Sequence, residues 1–182
     1  MGTRKRKPLP AGEFTAQIED LAADGRGVAR VNGKVIFIAD ALPGEMVTFR
    51  YLRVSRDIDE AQTVSVQRAS PDRVTPACEH FGLCGGCALQ HLSPPAQLAF
   101  KQKQLADAFE RIGKVTPQQW AEPIAGPVWN YRRRARLGVK HVPKKGGMLV
   151  GFRERESSYL AMLGSCRVLD ARVGGKLAAI AA

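Results

Sequence analysis

Long apolar runs are missing from this sequence. Nothing in it approaches the roughly 18 consecutive apolar residues of a membrane-crossing helix, so no membrane partner is expected. Nor does an apolar segment follow the early charges Arg4, Lys5, Arg6 and Lys7. No secretory signal is therefore read, and the cytoplasm is the expected compartment. Acids are scarce, with 17 Asp and Glu against 28 Lys and Arg, a formal net charge of +11. Such an excess points to a polyanionic partner, and nucleic acid ranks above an anionic membrane because no strongly amphipathic basic helix is present. Cysteine is limited to four residues. The apolar share of 45% and charged share of 25% are those of a folded protein, and 182 residues suffice for one large domain or two small ones.

Three of the four cysteines crowd together. Cys78, Cys84 and Cys87 lie in CEHFGLCGGCALQH, and Cys166 stands far downstream. Disulfides need an oxidising compartment, for which no targeting signal exists. A redox C-x2-C is disfavoured because Gly85-Gly86 opens no helix that would lower a thiol pKa. A zinc knuckle has the Cys84/Cys87 spacing but usually repeats a second close pair, which is lacking here. Gly85 and Gly86 suit a backbone wrapped closely around a bulky group. A ligand role is thus expected for the cysteines, an iron–sulfur cluster ahead of zinc. His80 and His91 flank the set, and hydrogen bonding is expected of them rather than ligation.

The fold class expected is mainly β with one or two helices. Residues 1–10 read as a disordered basic arm. Residues 11–70 read as a five-stranded barrel of the oligonucleotide-binding kind: Phe14, Ala16 and Ile18 alternate with polar neighbours, Asn32-Gly33 signals a hairpin, and Val47, Phe49 and Tyr51 share one strand face. Phe37, Phe49 and Tyr51 are available for base stacking, but a core role is preferred for them. Residues 71–92 hold the cysteine loop. Residues 93–167 form a central domain that starts with a helix capped by Ser93, with Leu98, Leu105, Phe109 and Ile112 at helical spacing and Gly113 as its stop.

A strand is then expected from near Trp129 to His141, with Arg132, Arg134, Arg136 and Lys140 on one face. Lys144-Lys145-Gly146-Gly147 is the hairpin loop, Met148 to Phe152 the returning strand, and Tyr159 to Leu163 a third strand that delivers Cys166. Nine basic residues and one acid fall between Tyr131 and Arg155. Arg132, Arg134, Arg136 and Lys140, with Lys144 and Lys145, are therefore the candidate RNA contacts. Arg26, Arg30 and Lys34 are candidates on the barrel. Residues 168–182 read as the start of a linker or helix whose Leu177, Ala178, Ile180 and Ala182 are left partly exposed.

On these residues the chain resembles the RNA uracil-5 methyltransferases that contain an iron–sulfur cluster. The stretch Cys78 to His91 with distant Cys166 carries the resemblance. Leu21 to Arg30, Asn32 to Val35 and Ala41 to Glu45 look like a TRAM domain, a small RNA-binding barrel, and Asn130 to Arg136 looks like the opening of the family's central domain. The resemblance implies that Cys78, Cys84, Cys87 and Cys166 ligate a [4Fe-4S] cluster. It implies the branch that methylates a uridine of large-subunit rRNA, and a monomer is expected. The family's tRNA-directed members are expected to lack both barrel and cluster. Radical enzymes with TRAM domains leave one iron open, usually through C-x3-C-x2-C. Five residues here separate the first two cysteines and a fourth closes the set, so a structural or RNA-positioning cluster is implied.

The family's chemistry adds a cysteine thiolate to uracil carbon-6, so that carbon-5 attacks the methyl of S-adenosylmethionine and a base then removes its proton. That needs a spare cysteine and a cofactor domain. All four cysteines are assigned and only sixteen residues follow Cys166. Val173-Gly174-Gly175-Lys176 is no nucleotide-binding fingerprint. The expectation is an N-terminal part, inactive alone, with S-adenosylmethionine bound by a domain beyond Ala182. A stand-alone cluster-bearing RNA adaptor and a zinc-stapled rRNA-binding protein are the alternatives.

Overall fold

The computed structural model describes residues 8–182, the side chain of Lys145 excepted. Most of the expected basic arm, Arg4 to Lys7 included, lies outside the described residues. The chain divides into two units. One runs to Arg73 and takes in His91–Ser93; the other comprises Val74–Gln90 and Pro94–Ala182.

The first unit holds β1 (Phe14–Gln17), β2 (Asp20–Leu21), β3 (Gly27–Val31), β4 (Lys34–Ala39), β5 (Met46–Arg53) and β6 (Ile58–Arg68). They form one sheet in the order β1-β5-β6-β4-β3-β2. β4 and β6 run parallel, and the other pairs run antiparallel. Two residues separate β1 from β2. The Ile18 N–H donates to the Glu45 carbonyl (2.9 Å) on the β5 side, while the Glu19 N–H donates to the Val28 carbonyl (2.8 Å) on β3. A single bent strand therefore changes partner between residues 18 and 19 and joins the two edges of the sheet, leaving no free edge there. Five strands were expected and six are found, because this bend splits the first.

Period-2 alternation places Ala16 and Ile18, then Ile36 and Ile38, then Val47 and Phe49 inside, with Ala29, Ala41 and Ala61 completing the core. Phe49 is fully buried, and Phe14 and Tyr51 pack on it edgewise or tilted with ring centroids 5.1–5.9 Å apart. The preference for core over stacking thus holds for Phe49 and Tyr51. Phe37 instead lies under the Arg26 guanidinium, 4.8 Å from the ring centroid. Asn32 and Gly33 both have positive φ, 51° and 78°, as a two-residue hairpin turn between twisted strands requires.

One carboxylate organises the end of this unit. Glu45 is fully buried, and its oxygens accept the N–H groups of Leu42 (2.9 Å) and Ser70 (3.1 Å) and both Nε and an Nη of Arg73 (2.6 and 2.8 Å). Arg73 also donates to the Asp40 carbonyl (2.7 Å). Burial alone would push the Glu45 carboxyl up. The Arg73 guanidinium and the two N–H groups outweigh it and hold the carboxyl below its ordinary 4.5.

In the second unit α1 spans Pro94–Ala108 and runs into a single π turn, Phe109–Gly113, closed by Lys114 in the left-handed region (φ 53°). The stop is thus Lys114, one residue beyond the expected Gly113. None of α1 is buried, and Leu105, Phe109 and Ile112 remain exposed, so their helical spacing marks no core stripe. β7 (Gly138–Val142) and β8 (Gly147–Gly151) make a hairpin whose turn contains Lys144 and Lys145, as expected.

The long basic strand is not formed. Only Gly138–Val142 pair, because β8 ends opposite Gly138 and offers Leu137 and earlier residues no partner. The Arg132 backbone turns elsewhere, to Val168 and Asp170. The alternation that would put Arg132, Arg134 and Arg136 on one face is therefore absent. At the C-terminal end, α2 (Ala171–Gly174) and α3 (Leu177–Ala181) replace one continuous helix. Leu177 is fully buried in a cluster with Cys84, Ala161, Leu163 and Leu169, against the expected exposure, whereas Ile180 is exposed.

Replacing Glu45 by Gln should cost the barrel about 3 kcal/mol, since it leaves the largely buried Arg73 guanidinium without its countercharge. Because the folded carboxyl sits below 4.5, its stabilisation is complete above that value and is lost as pH falls through the lower folded one. Urea unfolding should show the parent weakening on acidification and the variant responding less steeply. Equal stability of the two near pH 7 would overturn the assignment.

Candidate cysteine site and basic surface

The cysteine loop is turned before it is paired. The Phe81 N–H donates to the Cys78 carbonyl (3.1 Å) and the Cys84 N–H to that of His80 (2.9 Å). Residues 83–85 then lie antiparallel against 153–155. The Gly85 N–H donates to the Arg153 carbonyl (2.9 Å) and the Arg155 N–H to the Leu83 carbonyl (2.8 Å). On the other side of this strip the chain returns, with the Glu154 N–H on the Tyr159 carbonyl and the Ala161 N–H on the Phe152 carbonyl (both 2.9 Å). The expected third strand is thus present as a paired segment, and it leads to Cys166.

Two bonds complete the convergence. The Gly164 N–H donates to Nε2 of His80 (3.2 Å), linking the two cysteine-bearing segments. The Cys166 N–H donates to the Gly174 carbonyl (2.8 Å). A side chain on Gly174 would run into the Cys166 carbonyl, so glycine is required for that approach. Cys78, Cys84, Cys87 and Cys166 consequently line one pocket, with His80, Phe81, Gln90, Phe152 and Leu163. The hydrogen-bonding role expected for His80 is seen. His91 is buried in the other unit and does not line this pocket.

The four thiols form no disulfide. Burial, then the negative charge of the neighbouring thiols, pushes Cys84 and Cys87 up, against the pull of the Gly86 N–H on Cys84 and of Gln90 and Arg132 on Cys87. Thiols so placed resist ionising on their own, and a cation among them reverses that balance. Among the described residues, no three His, Cys, Asp or Glu side chains converge as the ligands of one metal ion must. A tetrahedral zinc site with bonds of about 2.3 Å would bring its sulfurs to about 3.8 Å of each other. A four-iron cube is held by four thiolates, and four thiols line this pocket.

Two arginines grip this site through aromatic rings. The Arg155 guanidinium lies 5.0 Å from the Phe81 centroid and donates to the Cys87 carbonyl (3.4 Å). The Arg132 guanidinium lies 5.9 Å from the Phe152 centroid. Neither contact is legible from spacing; the one hint in the sequence is that both fall in the basic stretch.

The other cations divide into engaged and unengaged. Arg26 pairs with Asp24 (2.8 Å) and Glu60 (3.5 Å), Arg30 with Glu19 (3.6 Å), and Lys34 with buried Asp59 (2.6 Å). Arg134, Arg136, Lys140 and Lys144 are exposed, and among the described residues no carboxylate pairs with them. Arg133 pairs with Asp170 (2.9 Å).

The TRAM domain family matches residues 12–56, inside the barrel unit. The chain is similar to the 23S rRNA (uracil(1939)-C(5))-methyltransferase RlmD of Methylococcus capsulatus, 51% identical over 182 residues, all of this chain and 41% of the relative. It is 54% identical over 166 residues to the protein of that name from an Azoarcus species, 91% of this chain and 38% of the relative. The chain thus spans about two-fifths of the length of these relatives. Among solved structures it is similar to the Pyrococcus abyssi tRNA (uracil-54, C5)-methyltransferase in complex with S-adenosyl-L-homocysteine, with a TM-score of 0.56 and 26% identity over 87% of this chain and 33% of that one. The 13% left uncovered is shorter than the barrel, so a tRNA-directed enzyme shares barrel structure. The expectation that tRNA members lack it is corrected. The chain carries a TRAM domain and matches, along its whole length, the N-terminal two-fifths of proteins named 23S rRNA (uracil(1939)-C(5))-methyltransferase RlmD.

Proposed function

We propose that this chain is the RNA-gripping, cluster-bearing part of an S-adenosylmethionine-dependent methyltransferase that forms 5-methyluridine in 23S rRNA. The observation that carries the proposal is the convergence of four cysteines, drawn from segments some 80 residues apart, on one pocket in a chain that also holds a TRAM barrel. The names of relatives about half identical along its length support the substrate. The reacting thiol, the base and the S-adenosylmethionine site are assigned to the portion of those relatives that this chain does not span.

Cys78, Cys84, Cys87 and Cys166 would hold a [4Fe-4S] cluster. A cluster ligated at every iron supplies cross-linking and a local charge, with no vacant iron for substrate. The residues around it have separable tasks. His80 ties the two ligand-bearing segments, Arg155 fixes the Cys87 end of the loop, and Phe152 closes the pocket beside Gly86. Arg134, Arg136, Lys140 and Lys144 are the phosphate contacts, with Lys145 beside them in the turn. Among the described residues no carboxylate pairs with Arg134, Arg136, Lys140 or Lys144, so engaging RNA costs them no ion pair. Arg132, occupied at Phe152, would join them from the edge of the thiol pocket. Arg26, Arg30 and Lys34 would contact RNA only by exchanging an acid for a phosphate.

Protein prepared without oxygen should contain about four irons and four acid-labile sulfides per chain, with a broad visible absorption. Cys166→Ser should lower all three together. A colourless protein with one zinc and no sulfide would sink the cluster assignment. Arg134→Ala should weaken binding of rRNA fragments and lower the slope of log affinity against log salt by about one. An unchanged slope across the titration would remove Arg134 from the contact surface.

A further inference from the structure

A second concavity lies next to the thiol pocket and is unlike it in chemistry. Trp129, Asn130, Ser165, Arg167, Gly174 and Gly175 line it, with Cys166 at its base. It is open, and its lining mixes an indole, an amide, a hydroxyl and a guanidinium with bare backbone. Ser165, Cys166 and Arg167 line both concavities, so one three-residue segment separates them.

Its walls are built rather than incidental. Asn130 adopts a left-handed backbone (φ 58°), which reverses the chain after Trp129. From there the chain is fastened to the far wall: the Asn130 N–H donates to the Arg167 carbonyl (2.9 Å), the Arg132 N–H to the Val168 carbonyl (2.9 Å), and the Asp170 N–H to the Arg132 carbonyl (3.1 Å). The floor is fixed by the Cys166 N–H on the Gly174 carbonyl (2.8 Å). Gly175 has open space where a side chain would be, so nothing fills the groove from that side.

The surrounding charge selects the ligand. Arg167 is exposed, and no carboxylate among the described residues pairs with it. The nearby acid, Asp170, is already shared between Arg133 (2.9 Å) and Arg172 (2.9 Å). An aromatic face, a planar amide and an unpaired guanidinium within one groove match the three parts of a nucleotide: base face, base edge and phosphate.

We propose that this groove takes one unpaired nucleotide of the RNA, its base stacked on Trp129, its edge met by Asn130 and Ser165, and its phosphate held by Arg167. The inference rests on the proposed RNA-binding function and adds to it a defined single-nucleotide subsite. A paired base cannot enter, so the groove selects single-stranded RNA, and the nucleotide it holds lies against the segment that carries Cys166.

With Trp120→Phe in the full chain, Trp129 is the sole tryptophan. Titration with a single-stranded oligoribonucleotide of about eight nucleotides should quench its emission, and a blunt duplex of the same sequence should not. In that background Trp129→Ala should weaken single-strand binding about tenfold or more, and Trp129→Phe should restore most of it. Arg167→Ala should reduce the salt slope by about one. Binding with unchanged Trp129 emission and unaltered affinity in Trp129→Ala would overturn the subsite alone. Failure of the parent chain to bind any RNA would overturn the subsite and the RNA-binding function together.

Discussion

The pairing of residues 83–85 with residues 153–155 is the constraint from which the second unit follows. A loop rich in glycine and cysteine has little apolar surface and no reason to hold one shape alone. Fastened by the Gly85 and Arg155 N–H groups, it becomes an added strand beside the segment that follows β8, and the return through Leu160–Leu163 gives that strip its second neighbour. Sequence distance then ceases to matter. Cys84 and Cys166, about eighty residues apart, reach one pocket because both flank the same strip. The cluster of Cys84, Ala161, Leu163, Leu169 and Leu177 is small. Its burial, at about 1.5–3 kcal/mol for each large side chain, is modest support for a unit whose α1 has no fully buried residue.

Charge in this chain has two separate uses, and composition does not distinguish them. Arg73 neutralises a buried glutamate, Arg26 and Lys34 close surface networks on the barrel, and Arg155 and Arg132 lie over rings that wall the thiol pocket. These guanidinium groups are anchored by packing and hydrogen bonds as much as by charge. Among the described residues, Arg134, Arg136, Lys140, Lys144 and Arg167 have no carboxylate partner, and Arg68, Lys101, Arg111, Lys114 and Lys176 share that state elsewhere on the chain. An excess of +11 therefore overstates the surface open to a polyanion.

The barrel was legible because alternation, hairpin chemistry and core size all agree there. Ile36 and Ile38, Val47 and Phe49, and Asn32-Gly33 each report the same two-period geometry. The second unit was less legible for a specific reason. Alternation over Tyr131–His141 states only that a strand is permitted; whether it forms depends on a partner edge, and β8 is too short to supply one. The spacing of Leu98, Leu105, Phe109 and Ile112 likewise marks a helix without saying that anything covers it. Leu177 erred in the other direction, buried by a tertiary contact that no local pattern encodes. The cysteines stood out in the sequence by their spacing, whereas Arg155, Phe152 and Gln90 around them needed the fold.

The frame alone does not mark the substrate, since a tRNA-directed enzyme from Pyrococcus abyssi is similar in structure over 87% of this chain. Selectivity among RNAs must therefore be sought in surfaces that vary on a common frame, and the second unit has one in the segment Ser165–Arg167. Its three residues line both the thiol pocket and the open groove. Whatever fixes Cys166 also fixes Arg167 and the floor beneath Trp129, because the Gly174 carbonyl and the Arg167 carbonyl anchor both walls to the same few residues. A unit with so small an apolar core gains most from a covalent or metallic cross-link. On that logic the proposed cluster needs no redox duty: it would hold the proposed RNA-facing edge in one conformation, so that the entropy of ordering that edge is lost on folding and not again on binding.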